Sequence, residues 1–373
     1  MRFISIIGVI LWLSVFYSCG SSAPPTTPVV EEIVETPVIE KSPLNVILMI
    51  ADGTGLSQIS ASQFFNPKTS NYERFKHIGL IKTSSATDFI TDSAAGATAF
   101  ASGIKTYNGA IGVDKDAISK PTILEELETK GYKSGIVATS AITHATPASF
   151  YAHVKYRKME EEIAEALTHS KVDFFAGGGL QFFNNRSDKK DLIAELQTNG
   201  FEIETQFLNT DAFLSPDKKY GYLLAEEGMP KMIDGRGPFL KNATGLGINY
   251  LAQNSSPFFM MIEGSQIDWG GHANDANYLI GEMLDFDDTL GYILDFAQKD
   301  GNTLVIVTAD HETGGFTLAA QDKDYNVLNP IFSTEGHSAT MVPVFAYGPG
   351  AENFSGIYEN TEIYHKIKIA ISR

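Results

Sequence analysis

The chain has 373 residues, of which 43% are hydrophobic. That is long for a single domain but within what one large α/β core accommodates. A net charge of −17 argues against nucleic acid as a partner, since no basic run exists to track a phosphate backbone; it does not exclude an anionic substrate, because bound metal ions and a buried arginine can set the local field.

At the N-terminus, Arg2 precedes an apolar run over residues 3–16, too short to span a bilayer and suited to a secretory signal. The run ends at Ser18-Cys19-Gly20, and Cys19 is the only cysteine, which rules out an intramolecular disulfide. With its small neighbours Cys19 matches a bacterial lipoprotein cleavage and acylation site; ordinary signal cleavage nearby is the alternative. Residues 1–19 are therefore read as a signal peptide and the protein as exported, to the periplasm or to an outer-membrane anchor through lipidated Cys19. Residues 20–43, rich in Pro, Thr, Val and Glu, read as a flexible tether. Residues 44–373 read as one domain.

Within that domain, apolar runs at 45–50, 134–138, 173–176, 257–262, 303–307 and 342–346 read as buried strands. Segments 122–130, 160–169, 188–199 and 278–299 carry apolar residues at three- and four-residue spacing and read as helices. The alternation predicts an α/β fold, a three-layer sandwich with a central, mostly parallel sheet flanked by helices. Residues 218–232 have no decisive period and are compatible with an inserted cap.

Several of these strands run into acid-rich turns. Residues 45–50 lead to Ala51-Asp52-Gly53, residues 257–262 to Glu263-Gly264 and then Asp268-Trp269-Gly270-Gly271-His272, and residues 303–307 to Asp310-His311-Glu312-Thr313-Gly314-Gly315. His337 sits in Glu335-Gly336-His337-Ser338. Carboxylates and imidazoles at strand ends are what a metal site on an α/β sheet requires. Asp268 and His272, four apart on a helical turn, would face one ion, with His337 completing the set; a surface polar pair is the plainer alternative. Asp52 alone could be a turn aspartate. Ser93, in Thr91-Asp92-Ser93-Ala94-Ala95, opens a run of small residues suited to a helix N-terminus that faces an anion. It is read as a nucleophile needing activation, or more plainly as a helix cap. His77, His169 and His365 are read as surface or structural, and His153 as packed on a helix between Thr146 and Arg157.

Together with Thr143-His144-Ala145-Thr146-Pro147, Tyr156-Arg157 and Gly336-His337-Ser338, these motifs resemble the alkaline phosphatases from residue 45 to the C-terminus, most closely the compact enzymes of marine and cold-environment bacteria. The resemblance implies hydrolysis of a broad range of phosphate monoesters through a phosphoserine at Ser93, with two zinc ions and one magnesium. It assigns Asp268, His272 and His337 to one zinc, Asp52, Asp310 and His311 to the second, and Asp52, Thr146 and Glu263 to magnesium. Arg157 would clamp phosphate, Asp92 would orient Arg157, and a homodimer is implied. His144 and Trp269 stand where enterobacterial members have aspartate and lysine. The histidine would let the third site take zinc as well as magnesium, and the tryptophan would weaken product binding. A sulfatase is disfavoured because Ser93-Ala94-Ala95-Gly96-Ala97 lacks the Cys/Ser-x-Pro-x-Arg context. A diesterase and a non-catalytic metal or phosphate binder are the remaining competitors.

Overall fold

The computed structural model describes residues 44–253 and 256–372, with Ser14 and Phe16. The remainder of the signal segment, Cys19 and the tether lie outside the described residues.

The strands, in chain order, are β1 (Asn45–Ala51), β2 (His77–Lys82), β3 (Lys133–Ala141), β4 (Phe174–Gly178), β5 (Phe201–Glu204), β6 (Lys219–Leu223), β7 (Phe258–Gly264), β8 (Thr303–Thr308), β9 (Glu312–Thr313), β10 (Thr317–Gln321), β11 (Asp324–Ile331), β12 (His337–Ser338), β13 (Val342–Tyr347) and β14 (Gly356–Glu359). Ten of them form one sheet in the order β14-β2-β13-β8-β1-β7-β3-β4-β6-β5. Every pairing in it is parallel except those of β13 with β2 and β8. The small strands β9 and β12 pair with each other, and β10 and β11 form a separate hairpin.

β1 explains the layering. Its side chains alternate between faces, and both faces are apolar: Val46, Leu48 and Ile50 join one core while Ile47, Met49 and Ala51 join the other. A strand buried on both faces reads as a continuous apolar run and needs helices on both sides. The helices are α1 (Leu56–Phe64), α2 (Ser93–Ser102), α3 (Ile123–Glu128), α4 (Ala145–Ala148), α5 (Glu160–His169), α6 (Gln181–Asn184), α7 (Leu192–Thr198), α8 (Phe239–Leu251), α9 (Gln266–His272), α10 (Ala276–Asp300) and α11 (Glu362–Ile371). Phe100 of α2, Leu124 of α3, Leu167 of α5, Leu196 of α7 and Ile367 of α11 fill the first core. Ile59 of α1, Leu246 of α8, Ile267 of α9 and Phe286 of α10 fill the second. The result is the three-layer sandwich expected.

One open segment is placed and one expectation needs correction. Within residues 218–232, which the sequence left compatible with a cap, Lys219–Leu223 form β6 and take a place in the main sheet between β4 and β5. His153 is not on a helix: helical structure stops at Ala148, and Val154 makes an antiparallel bridge with Ile111 that holds the chain extended.

Candidate active site

β8, β1, β7 and β3 lie side by side, and the chain leaving each of them carries part of one polar cluster. Asp52 follows β1, Asp310 and His311 follow β8, and Glu263 is the last residue but one of β7, with α9 adding Asp268 and His272. His144 and Thr146 follow β3. Parallel strands open their ligand sites at the carboxyl ends in this way. The turn after Asp52 requires glycine: Gly53 has φ +73°, and a Cβ there would lie 2.8 Å from Asp268 Cα.

Asp268, His272 and His337 come together, as the sequence predicted. His272 Nδ1 is 2.5 Å from Glu335 O, and His337 Nδ1 is 2.8 Å from Thr91 O. Carbonyl oxygens only accept, so both Nδ1 atoms carry a proton and each ring turns its Nε2 toward the cluster as the atom able to bind an ion. Those Nε2 atoms are 3.1 Å apart, and each is 3.5–3.6 Å from Asp268 Oδ1. Three potential ligand atoms converge. Ligands at zinc bond lengths and tetrahedral angles stand about 3.3 Å apart, so the spacing fits that ion.

The second group, Asp52, Asp310 and His311, is fully buried. His311 Nε2 is 3.2 Å from Asp310 Oδ2, 3.5 Å from Asp52 Oδ1 and 3.2 Å from Ser93 Oγ. Burial, and then the neighbouring His337, hold the His311 ring well below the usual histidine range, so it is neutral. Thr313 sets its tautomer. The single hydroxyl proton of Thr313 is donated to Asp268 Oδ1, so Oγ1 accepts from His311 Nδ1 at 3.2 Å and leaves Nε2 bare. Thr313 thus touches both groups, yet no role was assigned to it from sequence. The available signal was its place two residues after a candidate ligand, on a strand end. Glu312 anchors the same stretch, accepting from Gln58 Nε2 at 2.8 Å, Phe316 N at 3.0 Å and the Ser338 hydroxyl.

The third group contains Asp52 and Glu263 and also draws in His144. Both oxygens of Asp52, Glu263 Oε1, Thr146 Oγ1, Asp310 Oδ2 and His144 Nδ1 are buried without a hydrogen-bond partner. Six such atoms in one place are costly unless a cation completes them. Burial raises Asp52 well above the carboxylate range, and Asp310, Asp268 and Glu263 push it further. Burial likewise raises Glu263 to about 7, with Asp310 adding to the shift. Burial lowers His144 to about 3, helped by Arg157 and Lys158. Burial thus favours protons on these carboxyls, and a divalent cation held there would take the place of those protons. The oxygen-rich donors of Asp52, Glu263 and Thr146 fit a hard ion such as magnesium, and the His144 imidazole adds a donor that zinc prefers.

Beside these groups lies the N-terminus of α2, with Arg157 held against its cap. Asp92 is the N-cap of α2, so Ser93 is the first helical residue rather than the cap itself. Asp92 Oδ1 accepts from Ala95 N and Gly109 N, both at 3.0 Å, and Oδ2 from Arg157 Nη1 at 2.9 Å. Burial disfavours charge on Asp92, but the Arg157 guanidinium and those N–H groups override it and lower its pKa. Arg157 Nη2 also reaches His144 Nε2 at 3.2 Å, and Trp269 stands edge-on to the His144 ring with centroids 5.9 Å apart.

The family model for alkaline phosphatase matches residues 44–332 and 322–372. Alkaline phosphatase 3 of Bacillus subtilis is 34% identical over 405 residues, covering 86% of this chain and 87% of its own length. The alkaline phosphatase of Escherichia coli is 31% identical over 411 residues, with 89% and 87% covered. Among solved structures, the alkaline phosphatase of the Antarctic bacterium TAB5 is 59% identical with a TM-score of 0.87, covering 89% of this chain and 99% of that one. A TAB5 variant with one histidine changed to aspartate has magnesium bound in its M3 site. Strand order, convergent site and sequence agree: the chain belongs to the alkaline phosphatase family, whose activity is hydrolysis of phosphate monoesters.

Proposed function

We propose that hydrolysis runs through a phosphoserine at Ser93 and accepts small phosphate monoesters of varied alcohols. The observation that carries this reading is Ser93 Oγ, 3.2 Å from His311 Nε2 at the first turn of α2. Asp268, His272 and His337 would hold one zinc, and Asp52, Asp310 and His311 a second. Asp52, Thr146 and Glu263 would hold magnesium, with His144 near enough to admit zinc instead; magnesium in the M3 site of the TAB5 variant supports an ion at such a place. Bound, these cations supply Lewis acidity that favours deprotonated oxygen nucleophiles and a negatively charged leaving oxygen, which implies an alkaline working range.

The chain's own groups do the rest. Ser93 Oγ bonds to phosphorus as the ester P–O bond breaks and the alcohol leaves, taking up a proton. Water then cleaves the phosphoserine, Ser93 regains its proton, and inorganic phosphate departs. The planar fork of Arg157, held by ionised Asp92, binds two phosphate oxygens, and the first N–H groups of α2 face the same anion. Trp269 places no positive charge beside the product; Trp269→Lys is expected to strengthen phosphate inhibition, and unchanged inhibition would count against that role.

Export through residues 1–19, lipid attachment at Cys19 and a homodimer complete the proposal. The sequence pattern supports the first two. Family membership supports the dimer, as do Ile78 and Ile357, 52% and 65% exposed on neighbouring strands at one end of the sheet. The test of the catalytic proposal is para-nitrophenyl phosphate hydrolysis by chelator-stripped protein with zinc and magnesium restored, beside Ser93→Ala. Metal-dependent turnover that falls by on the order of 10⁴-fold in the variant is expected. Turnover that survives the substitution contradicts it.

A further inference from the structure

We infer that Phe89 and Ile90 form an apolar shelf for the alcohol part of the ester, giving preference to aryl over small polar monoesters. The inference rests on the catalytic reading above.

Phe89 is 91% exposed and Ile90 44%, and they lie four and three positions before Ser93. Exposed side chains this large are unremarkable singly, but the backbone that presents these two is pinned from both ends. Ser85 N donates to Asp88 O at 3.1 Å, and Asp88 N to Ser85 Oγ at 3.0 Å, closing a turn before them. After them, Asn108 Nδ2 donates to Ile90 O at 3.0 Å, Asp92 N donates to Asn108 Oδ1 at 3.2 Å, and His337 Nδ1 donates to Thr91 O at 2.8 Å. On the other flank of this anchor, the ring of half-exposed Tyr156 packs on Gly109, where a Cβ would come within 2.9 Å of Tyr156 Cδ2.

The last of these bonds fixes the direction. In-line transfer sends the leaving oxygen away from Ser93 Oγ. Outward from buried Ser93 the rings follow in order: His311, then His337 stacked on it at 3.5 Å, then His272 with centroids 5.0 Å from His337. Side-chain exposure rises along that line from 0% at His311 to 14% at His337 and 42% at His272. The departing alcohol therefore emerges beside His337, whose ring is bonded to the residue next to Ile90. An apolar surface there contacts the alcohol before and during bond cleavage alike. Such uniform binding lowers KM and leaves kcat little changed.

The test is steady-state kinetics of the metal-loaded full chain with 2-naphthyl phosphate and glycerol phosphate, parent beside Phe89→Ala. The expected result is a fall of about 3- to 10-fold in the naphthyl-to-glycerol ratio of kcat/KM, the size of an aromatic contact. The loss should sit in KM for the naphthyl ester, with partial recovery in Phe89→Leu. Normal turnover with an unchanged ratio overturns the shelf alone. Turnover of neither ester by the parent overturns the catalytic reading and the shelf with it. A Phe89→Ala chain that turns from dimer to monomer on size exclusion with the ratio unchanged also overturns the shelf, and assigns the surface to a second copy.

Discussion

His153 and His337 each place ring Nδ1 on a backbone carbonyl, at 2.7 Å from Gly112 O and 2.8 Å from Thr91 O. Their other nitrogens differ. His153 Nε2 meets Glu125 Oε1 at 2.9 Å, so both nitrogens have acceptors and the ring is satisfied as a cation. His337 Nε2 meets the Nε2 of His272 and a carboxylate oxygen already taken by Thr313. One histidine is complete within the protein, whereas the other lacks something positive. A ligand is recognised by the partner its far nitrogen lacks, not by a nearby acid.

That contrast can be broken by experiment. His337→Ala should lower kcat by on the order of 10³-fold or more and remove one zinc equivalent per chain in elemental analysis. His153→Ala should leave the metal count unchanged, and a metal lost from His153→Ala would erase the distinction. Thr313→Val removes both the donor to Asp268 and the acceptor for His311; loss of such outer hydrogen bonds lowers metal affinity by about 10- to 100-fold. Competition with a chromogenic chelator reads this directly, and parent-like affinity would mean the tautomer is set by something else. His144→Asp replaces imidazole by carboxylate, so dialysis against mixed zinc and magnesium should shift the third site toward magnesium. Strict magnesium occupancy in the parent would sink the idea that His144 admits zinc.

The smallest effect belongs to His153. Its hydrogen bond to Glu125 raises its pKa against burial, with Gly112 O assisting. A raised histidine pKa stabilises the fold fully below the unfolded-state value and ceases to as pH climbs through the folded-state value. The pair is partly exposed, so less than about 1 kcal/mol is at stake. Thermal denaturation of His153→Gln should show its deficit near pH 6 and lose it near pH 9, ordinary histidine titrating near 6.5. An equal deficit at both pH values would point to packing instead.

The central strands were legible because burial on both faces leaves an unbroken apolar run, as in β1 and β8. Strands β5 and β6 were not: Glu202 and Glu204 face outward near the sheet edge, and Lys219 and Gly221 interrupt the apolar pattern. Helix α8 was hidden by Gly245 and Gly247, poor helix formers. Gly247 is there for contact, since a Cβ would come within 2.8 Å of Met260 and Phe174. In the site, the grouping of acids and imidazoles followed from motif and resemblance. The tautomers did not, because they depend on Glu335 O, Thr91 O and Thr313, whose positions only the folded chain determines.

The most direct measurement is acid quenching of the metal-loaded protein during turnover of a phosphate monoester, followed by peptide mass spectrometry. The account predicts one phosphate adduct, on the peptide containing Ser93 and absent in Ser93→Ala. An actively hydrolysing protein that carries its adduct on another residue would contradict it.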